Sequence, residues 1–309
     1  MAGNEEGNTT QISEIILLGF GDLHGLQFLL FWIFLVIYVM TLTGNIVILI
    51  VVSADHSLHT PMYFFLGHFS LLEIGYTSTI EPMLLRTLLS AHVTISFPAC
   101  ACQFYFFAFQ VATECFFLAV MSYDRYIAIC NPLHYDSIMD HWGCLQLAGA
   151  SWMAGFLAPI LLMVFIFRLT FCSVNVIDHF FCDLKPIMKL TCTNTQAVEM
   201  TSFICTSLFA LGPFLLTLAS YTCIVTTILR APSATGKQRA FSTCSSHLTV
   251  VSLYYGTLGI VYGFPSRPQY KDLLKLLSLL YTVLTPALNP IIYTLRNKDV
   301  KVALRKLVK

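Results

Sequence analysis

Seven stretches of this chain are each long and apolar enough to cross a lipid bilayer, and that removes most folds from consideration. A bilayer core needs about 20 apolar residues wound as a helix, because each residue advances only about 1.5 Å. The stretches lie at roughly 26–52, 61–85, 97–123, 142–167, 197–229, 240–264 and 271–294. The first is cleanest, with no charged residue from Leu26 to Ala54, whereas Lys271, Asp272 and Lys275 crowd the start of the last. The expected fold is an all-α membrane protein, a seven-transmembrane helix bundle in one domain spanning 1–309. Residues 1–25 are expected as an outer tail, 26–294 as the bundle and 295–309 as a short amphipathic C-terminal helix.

Composition agrees. Only 11% of residues are charged and 57% are hydrophobic, with a mean hydropathy of +0.75. A soluble domain carries about 25% charged residues. The net charge of +1 offers no bulk attraction to nucleic acid or to an acidic partner. The first 25 residues hold no Lys or Arg and so lack the basic start of a cleavable signal peptide. No repeat or low-complexity linker divides the chain.

Charge sets the expected orientation. With the N-terminus outside, the inner connections hold ten basic residues, among them Arg125, Arg230, Arg239 and Lys301. The outer ones hold seven, among them Arg86, Lys185 and Lys275, so the excess lies inside. Asn8-Thr9-Thr10 is a glycosylation acceptor and agrees with an outer N-terminus. In the tail, Val300, Leu304, Leu307 and Val308 fall on one helical face, with Lys301, Arg305 and Lys309 on the other. That pattern suits a helix lying on an anionic inner leaflet of the lipid bilayer.

The third segment ends in MSYDRYIAIC at 121–130, which puts Asp124 and Arg125 at a membrane edge. A charge at the bilayer centre costs about 2.5–3.5 kcal/mol, and at the edge such a pair is tolerated where it works as a switch. Cys100 and Asp124 are 24 residues apart, about 36 Å along a helix, so they sit on opposite sides of the membrane. Phe104, Phe107, Ala108, Val111, Ala112 and Cys115 share one face, although ordinary helix packing produces the same spacing. Of the 11 cysteines, Cys100, Cys172, Cys182 and Cys192 lie in or beside outer polar stretches. They allow up to two disulfides in three possible pairings. Glu73 and Glu114 lie deep in apolar sequence. Two acids at that depth do not both stay charged alone: either one is protonated or a cation bridges them.

Five ordered motifs carry a family resemblance. These are LHTPMYFFL at 58–66, MSYDRYIAIC at 121–130, Ser220-Tyr221, RAFSTCSSHL at 239–248 and PALNPIIYTLRNKDV at 286–300. Together they resemble the odorant receptors of the tetrapod type, class II, a branch of the rhodopsin-like G-protein-coupled receptors. The likeness runs from the first helix to the tail. Gly67-His68, Arg239 and Glu73 depart from the commonest pattern, and Glu73 puts the family's cation site in doubt.

The resemblance implies roles. Asp124 holds Arg125 at rest, Arg125 meets the G protein when the inner cavity opens, and Tyr126 and Arg239 belong to the same coupling region. Tyr221 and Tyr293 swing inward on activation, Asn289-Pro290 loosens the seventh helix, and His247 joins the inner network. Cys100 pairs with Cys182, and Cys172 with Cys192. Asn45 and Asn289 approach Glu73 and Glu114, which form a sodium-like site or a protonated network. The ligand pocket is expected from Phe104, Phe107, Ala108, Val111 and Ala112 on the third helix and Ser202, Cys205, Thr206 and Phe209 on the fifth. Tyr255, Leu258, Gly259 and Tyr262 come from the sixth, and Leu279, Thr282 and Val283 from the seventh. Phe107 stands where amine receptors place an aspartate, so the pocket suits a neutral, mostly apolar molecule oriented by hydroxyls of Thr206, Tyr255, Tyr262 or Thr282.

The expected function is an odorant receptor that raises cyclic AMP through a stimulatory, olfactory-type heterotrimeric G protein. The expected place is the plasma membrane of olfactory cilia, and no cofactor or enzyme activity is expected. A secondary transporter would show an inverted repeat and an intramembrane enzyme a catalytic motif, and neither occurs. The same fold serving a non-volatile ligand outside the nose is the nearest rival.

Overall fold

Hydrophobic runs this long bury their backbone hydrogen bonds by winding into helices, and the computed structural model shows seven long helical units among the described residues. It describes residues 13–21, 25–90, 92–172, 175–230, 234–263, 271–296 and 298–307. Within these ranges the side chains of 234–243, 246, 262–263, 271, 294–296, 298–299 and 307 are not described. Asn8 and the side chains of Arg239 and Tyr262 therefore lie outside the described residues.

The units are α1 (Leu26–Ala54), α2 (Pro61–Leu89), α3 (Phe97–Cys130), α4 (His141–Ile166), α5 (Gln196–Arg230), α6 (Ala234–Gly263) and α7 (271–296). A short α8 (Lys298–Leu307) follows. Local chemistry sets several starts. Ser96 accepts from the Ala99 amide at 3.3 Å to cap α3, and Asp140 accepts from the Gly143 amide at 2.7 Å to cap α4. Pro61 opens α2 in the first turn, where no amide is needed. Wider π-turns at Ser207–Leu211 and Leu280–Leu284 interrupt α5 and α7 and shift which residues face inward beyond them.

Among the described residues, α1, α3, α4, α5 and 272–293 of α7 are long and apolar enough to cross a membrane. α2 carries Glu73, Glu81 and Arg86, and α6 has only a shorter apolar stretch, His247–Val261. The outer surface of the bundle is greasy: Phe28, Trp32, Val36 and Met40 on α1, and Leu208, Leu215 and Leu216 on α5, are more than half exposed. Such a belt is compatible with lipid and not with water. Inside, α3 crosses α4 so tightly that a Cβ on Gly155 would lie 1.9 Å from the Thr113 hydroxyl oxygen.

The N-terminal segment is more than a tail. Strand β1 (Glu14–Leu17) lies between β2 (Val93–Ser96), antiparallel, and β3 (Val176–Ile177), parallel. Ile15 and Leu17 are fully buried, which the expected outer tail would not require. Gly19 follows in a left-handed conformation, φ +58°, against α2, where a Cβ would stand 2.7 Å from Cβ of Thr87. Gly19→Val should therefore unseat this segment and lower the melting temperature of detergent-solubilised protein by several degrees. Gly21→Val, with open space around it, is the comparison variant. Equal melting temperatures would refute the packing argument.

At the opposite end α8 buries Val300 and Ala303. Lys306 reaches Asp55, at the end of α1, at 3.1 Å. The Ser57 hydroxyl and amide donate to Asp55 and, with Lys306, hold its carboxyl down to about 2. The carboxylate thus stays charged at any physiological pH, and so does its contact with α8.

Candidate functional site

Two polar assemblies sit at opposite ends of α3. Near the N-terminal face Cys100 is joined to Cys182, and Cys172 to Cys192, with Cα separations of 5.5 and 5.3 Å. This is the pairing the resemblance implied. The first bond brings the loop between α4 and α5 onto the bundle. Gln103 of α3 locks it from the side: its carbonyl accepts from the Cys182 amide at 3.0 Å while its NH2 donates to the Thr79 carbonyl at 3.0 Å.

The loop then drives Phe181 into the centre. Its ring lies 5.1 Å from Phe107, which also meets Tyr76 at 5.9 Å and Tyr281 at 6.2 Å. Offset and edge contacts of this kind add to simple area burial. Above the plug, Phe20 stacks on Phe180 at 5.4 Å. The buried Lys275 donates to the Gly19 carbonyl at 2.7 Å and to Asp178 at 2.5 Å. Strand β1, the loop and α7 are thereby tied together as a cover.

The candidate pocket residues separate into groups. Phe104, Phe107 and Ala112 are buried, and Ala108 and Val111 partly so. Cys205 is buried, Ser202 half-buried, and Phe209 meets Phe116 at 6.2 Å. Leu258, Thr282 and Val283 are buried and Leu279 partly so. Two expectations need correction. Thr206 and Gly259 are exposed on the flank of the bundle, because each stands off the buried stripe of its helix, marked by Val198, Thr201 and Cys205 on α5 and by Tyr254, Leu258 and Val261 on α6. Thr206 therefore does not present a hydroxyl inward. The Thr282 hydroxyl donates to the Ser278 carbonyl at 2.8 Å, and Tyr255 to the Cys115 carbonyl at 3.4 Å. Both hydroxyls keep only acceptor lone pairs for a guest. Tyr254, which the sequence reading passed over, is fully buried and donates to the Val111 carbonyl at 2.7 Å.

At the far end of α3, Arg125 donates Nε to Asp124 Oδ2 at 2.7 Å, and its NH2 group reaches the same oxygen. Tyr135, in the short helix Tyr135–Ile138, donates to Oδ1 at 2.8 Å. Asp124 is fully buried and both its oxygens are engaged. Tyr135 was not legible as a partner, since nothing in its local pattern marks it. Tyr126 is half-buried against Tyr123. The Tyr221 hydroxyl and His247 Nδ1 are 2.5 Å apart, joining α5 to α6, and His247 Nε2 is buried without a partner.

Between these ends, the Asn289 amide of α7 donates to Glu73 of α2. Pro290 is buried in the same turn, and Tyr293 packs on Phe69 at 6.1 Å. Asn45 is buried and donates to the Thr41 carbonyl at 3.0 Å. Glu114 is buried on α3. Glu73 Oε2, Asn289 Oδ1 and Ser70 Oγ have no hydrogen-bond partner. Among the described residues, no three His, Cys, Asp or Glu side chains converge as a metal site would need. Glu81 is a further buried acid, eight residues beyond Glu73 on α2, and that helical spacing could have flagged it.

Residues 34–309 match the family described as Olfactory receptor. Human olfactory receptor 11L1 is 50% identical over 305 residues, covering 99% of this chain and 95% of its own length. Human olfactory receptor 10A4 is 51% identical over 302 residues, 97% of this chain and 96% of its own, and human olfactory receptor 6F1 is 49% identical over 302 residues, 98% of each. With identity at this level along nearly the whole length, the chain belongs to the olfactory receptor family, a family of receptors and not of enzymes.

Proposed function

We propose that the chain is an odorant receptor whose ligand binds beneath the N-terminal cover and whose far end couples to a stimulatory, olfactory-type G protein, raising cyclic AMP. The covered end faces outside and the Asp124–Arg125 end faces the cytoplasm, in the plasma membrane of sensory cilia. The observation that carries this reading is the closed lock of Arg125 and Tyr135 on Asp124, at the opposite end of one 34-residue helix from the cover. A charge-assisted cluster at a semi-wet edge is strong enough to bias one state and weak enough to break. A small, mostly apolar odorant that fits the open state better shifts the population toward it. The inner ends of α3, α5 and α6 then part at Tyr221–His247 and release Arg125 to the G protein.

Glu73 and Glu114, with Asn289 and Ser70, hold a sodium-like cation in the resting state. Three oxygens without partners suit such an ion, which can bind all three, better than one shared proton, which would join only two of them. Replacing sodium by N-methylglucamine is the direct check: basal signal should rise.

Cyclic AMP measured in cells over a broad odorant panel tests the main proposal. Dose-dependent signal supports it, and ligand uptake without signal at normal surface density overturns it. Tyr135→Phe should raise basal cyclic AMP about tenfold or more, since a hydrogen bond to a charged carboxylate is worth about 1.5–3 kcal/mol. Unchanged basal activity would remove Tyr135 from the lock.

The cover carries its own expected pH response. His179 is buried between Phe180 and Phe181, at 4.6 and 4.8 Å. Burial first, and then Lys275, push its imidazole down to about 3 from an ordinary 6.5, with Lys189 adding to this and Asp178 opposing it. The neutral ring thus supports the cover fully above pH 6.5, and support falls as the pH drops from there toward 3. The loss is about 1.4 kcal/mol per pH unit, or about 2 kcal/mol at pH 5. Amide exchange of Ile15–Leu17, corrected for intrinsic rate, should quicken between pH 7.5 and 5, and His179→Phe should abolish the change. Identical protection at both values would refute the linkage.

A further inference from the structure

Buried carboxyl groups in a bundle are ordinarily matched by an internal donor, because an unmatched one loses its water and gains nothing in return. Glu81 is 1% exposed, and among the described residues no hydrogen bond or ion pair reaches its Oε2. It lies on the stripe Ser70, Glu73, Thr77, Glu81, whose spacing of three and four residues keeps all four on one helical face. Glu73 on that face meets Asn289 of α7, so the face points into the bundle. Eight residues carry Glu81 about 12 Å further toward the N-terminal face, above the layer of Glu73.

The polar groups around that height are committed elsewhere. Gln103 holds Thr79 and Cys182, and Gln110 accepts from the Thr79 hydroxyl at 3.1 Å while its amide nitrogen lies against Gly75, on a different side of α2 from Glu81. Thr77 donates its hydroxyl to the Glu73 carbonyl at 2.8 Å. Lys275 is held by Gly19 and Asp178. The other neighbours on the stripe, Ile80 and Leu84, are fully buried hydrocarbon.

We propose that Glu81 is the polar recognition point of the ligand site, and that it selects odorants carrying a hydrogen-bond donor, a hydroxyl or primary amine, on an apolar body. This rests on the odorant-receptor reading above and sharpens it, since the faces inferred from sequence held no charged group. A guest with a donor completes the carboxyl. A guest of equal size without one leaves the carboxyl unmatched and binds more weakly.

Wild-type, Glu81→Leu and Glu81→Gln receptors, normalised for surface density, are exposed to 1-octanol, n-octylamine and methyl heptyl ether, with cyclic AMP as the readout. In the wild type at least one of the two donor probes should act at a concentration tenfold or more below the ether. Glu81→Leu should erase that advantage by tenfold or more and leave the ether unchanged. Glu81→Gln, similar in shape, should keep the alcohol within threefold and lose the amine, which decides the matter even where the leucine variant fails to reach the surface. Equal shifts for all three probes, or none, overturn the proposal and leave a carboxyl held by buried water. Wild-type silence toward both donor probes, while a broad odorant mixture evokes signal, overturns it too and leaves the receptor reading standing. Silence toward the mixture as well, at normal surface density, sinks that reading.

Discussion

Arg125→Ala is expected to reduce odorant-evoked cyclic AMP to less than a tenth of the wild-type plateau at equal surface density. Two effects oppose each other. Losing Arg125 strips the buried Asp124 of its charged partner and leaves only the Tyr135 bond, so the resting lock weakens. Hydrogen bonds to charged groups are worth about 1.5–3 kcal/mol, which would shift a two-state balance about 10- to 100-fold toward the open form. The same substitution removes the group proposed to meet the G protein, and no population of open receptor compensates for an absent contact. The second effect wins, so signal falls although the lock is broken. Asp124→Asn separates the two: it releases Arg125 without removing it and should raise basal signal. If Arg125→Ala retains full signal, Arg125 is a membrane-edge anchor with a long stem and the coupling proposal fails.

The second large effect is structural. Cys182→Ser is expected to abolish most surface expression, whereas Cys192→Ser should lower it only in part. The Cys100–Cys182 bond closes a separation of 82 residues, the Cys172–Cys192 bond one of 20. Chain-entropy reasoning assigns about 4–5 kcal/mol to the longer closure and about 3 to the shorter. Helices that persist in the membrane when the tertiary fold is lost reduce both figures. The position of the bonds widens the gap again. Cys182 follows directly on Phe181, whose ring fills the centre of the plug, and the cover of Phe20, Asp178 and Lys275 rests on the same loop. Losing that anchor frees the cover, whereas Cys172–Cys192 staples only the root of the loop. Surface labelling and the melting temperature of each variant check the order, and equal loss for both would refute it.

Some of this was legible locally. The run without charge from Leu26 to Ala54 acts on every short window of chain, so pattern alone reveals it. The Asp124–Arg125 adjacency is local too, and the disulfide partners followed from family likeness. Boundaries of the last unit were blurred by Lys275, which reads as a surface charge and is in fact buried. The outward turn of Thr206 was hidden because sequence spacing does not announce on which side of a helix its buried stripe will fall.

The sequence by itself determined that seven helical units cross a membrane, where most of them begin, and which charges stand at the edge, because hydrocarbon thickness and backbone hydrogen bonding act on every short window of chain. Only the tertiary structure decided what those charges meet. Lys275 finds Gly19 from 256 positions away, Asn289 finds Glu73 from 216, and β1 enters a sheet with strands on both sides. Among the described residues Glu81 Oε2 is left without a donor for the same reason: a partner, or its absence, depends on which distant helices arrive at one height, and no local periodicity records that.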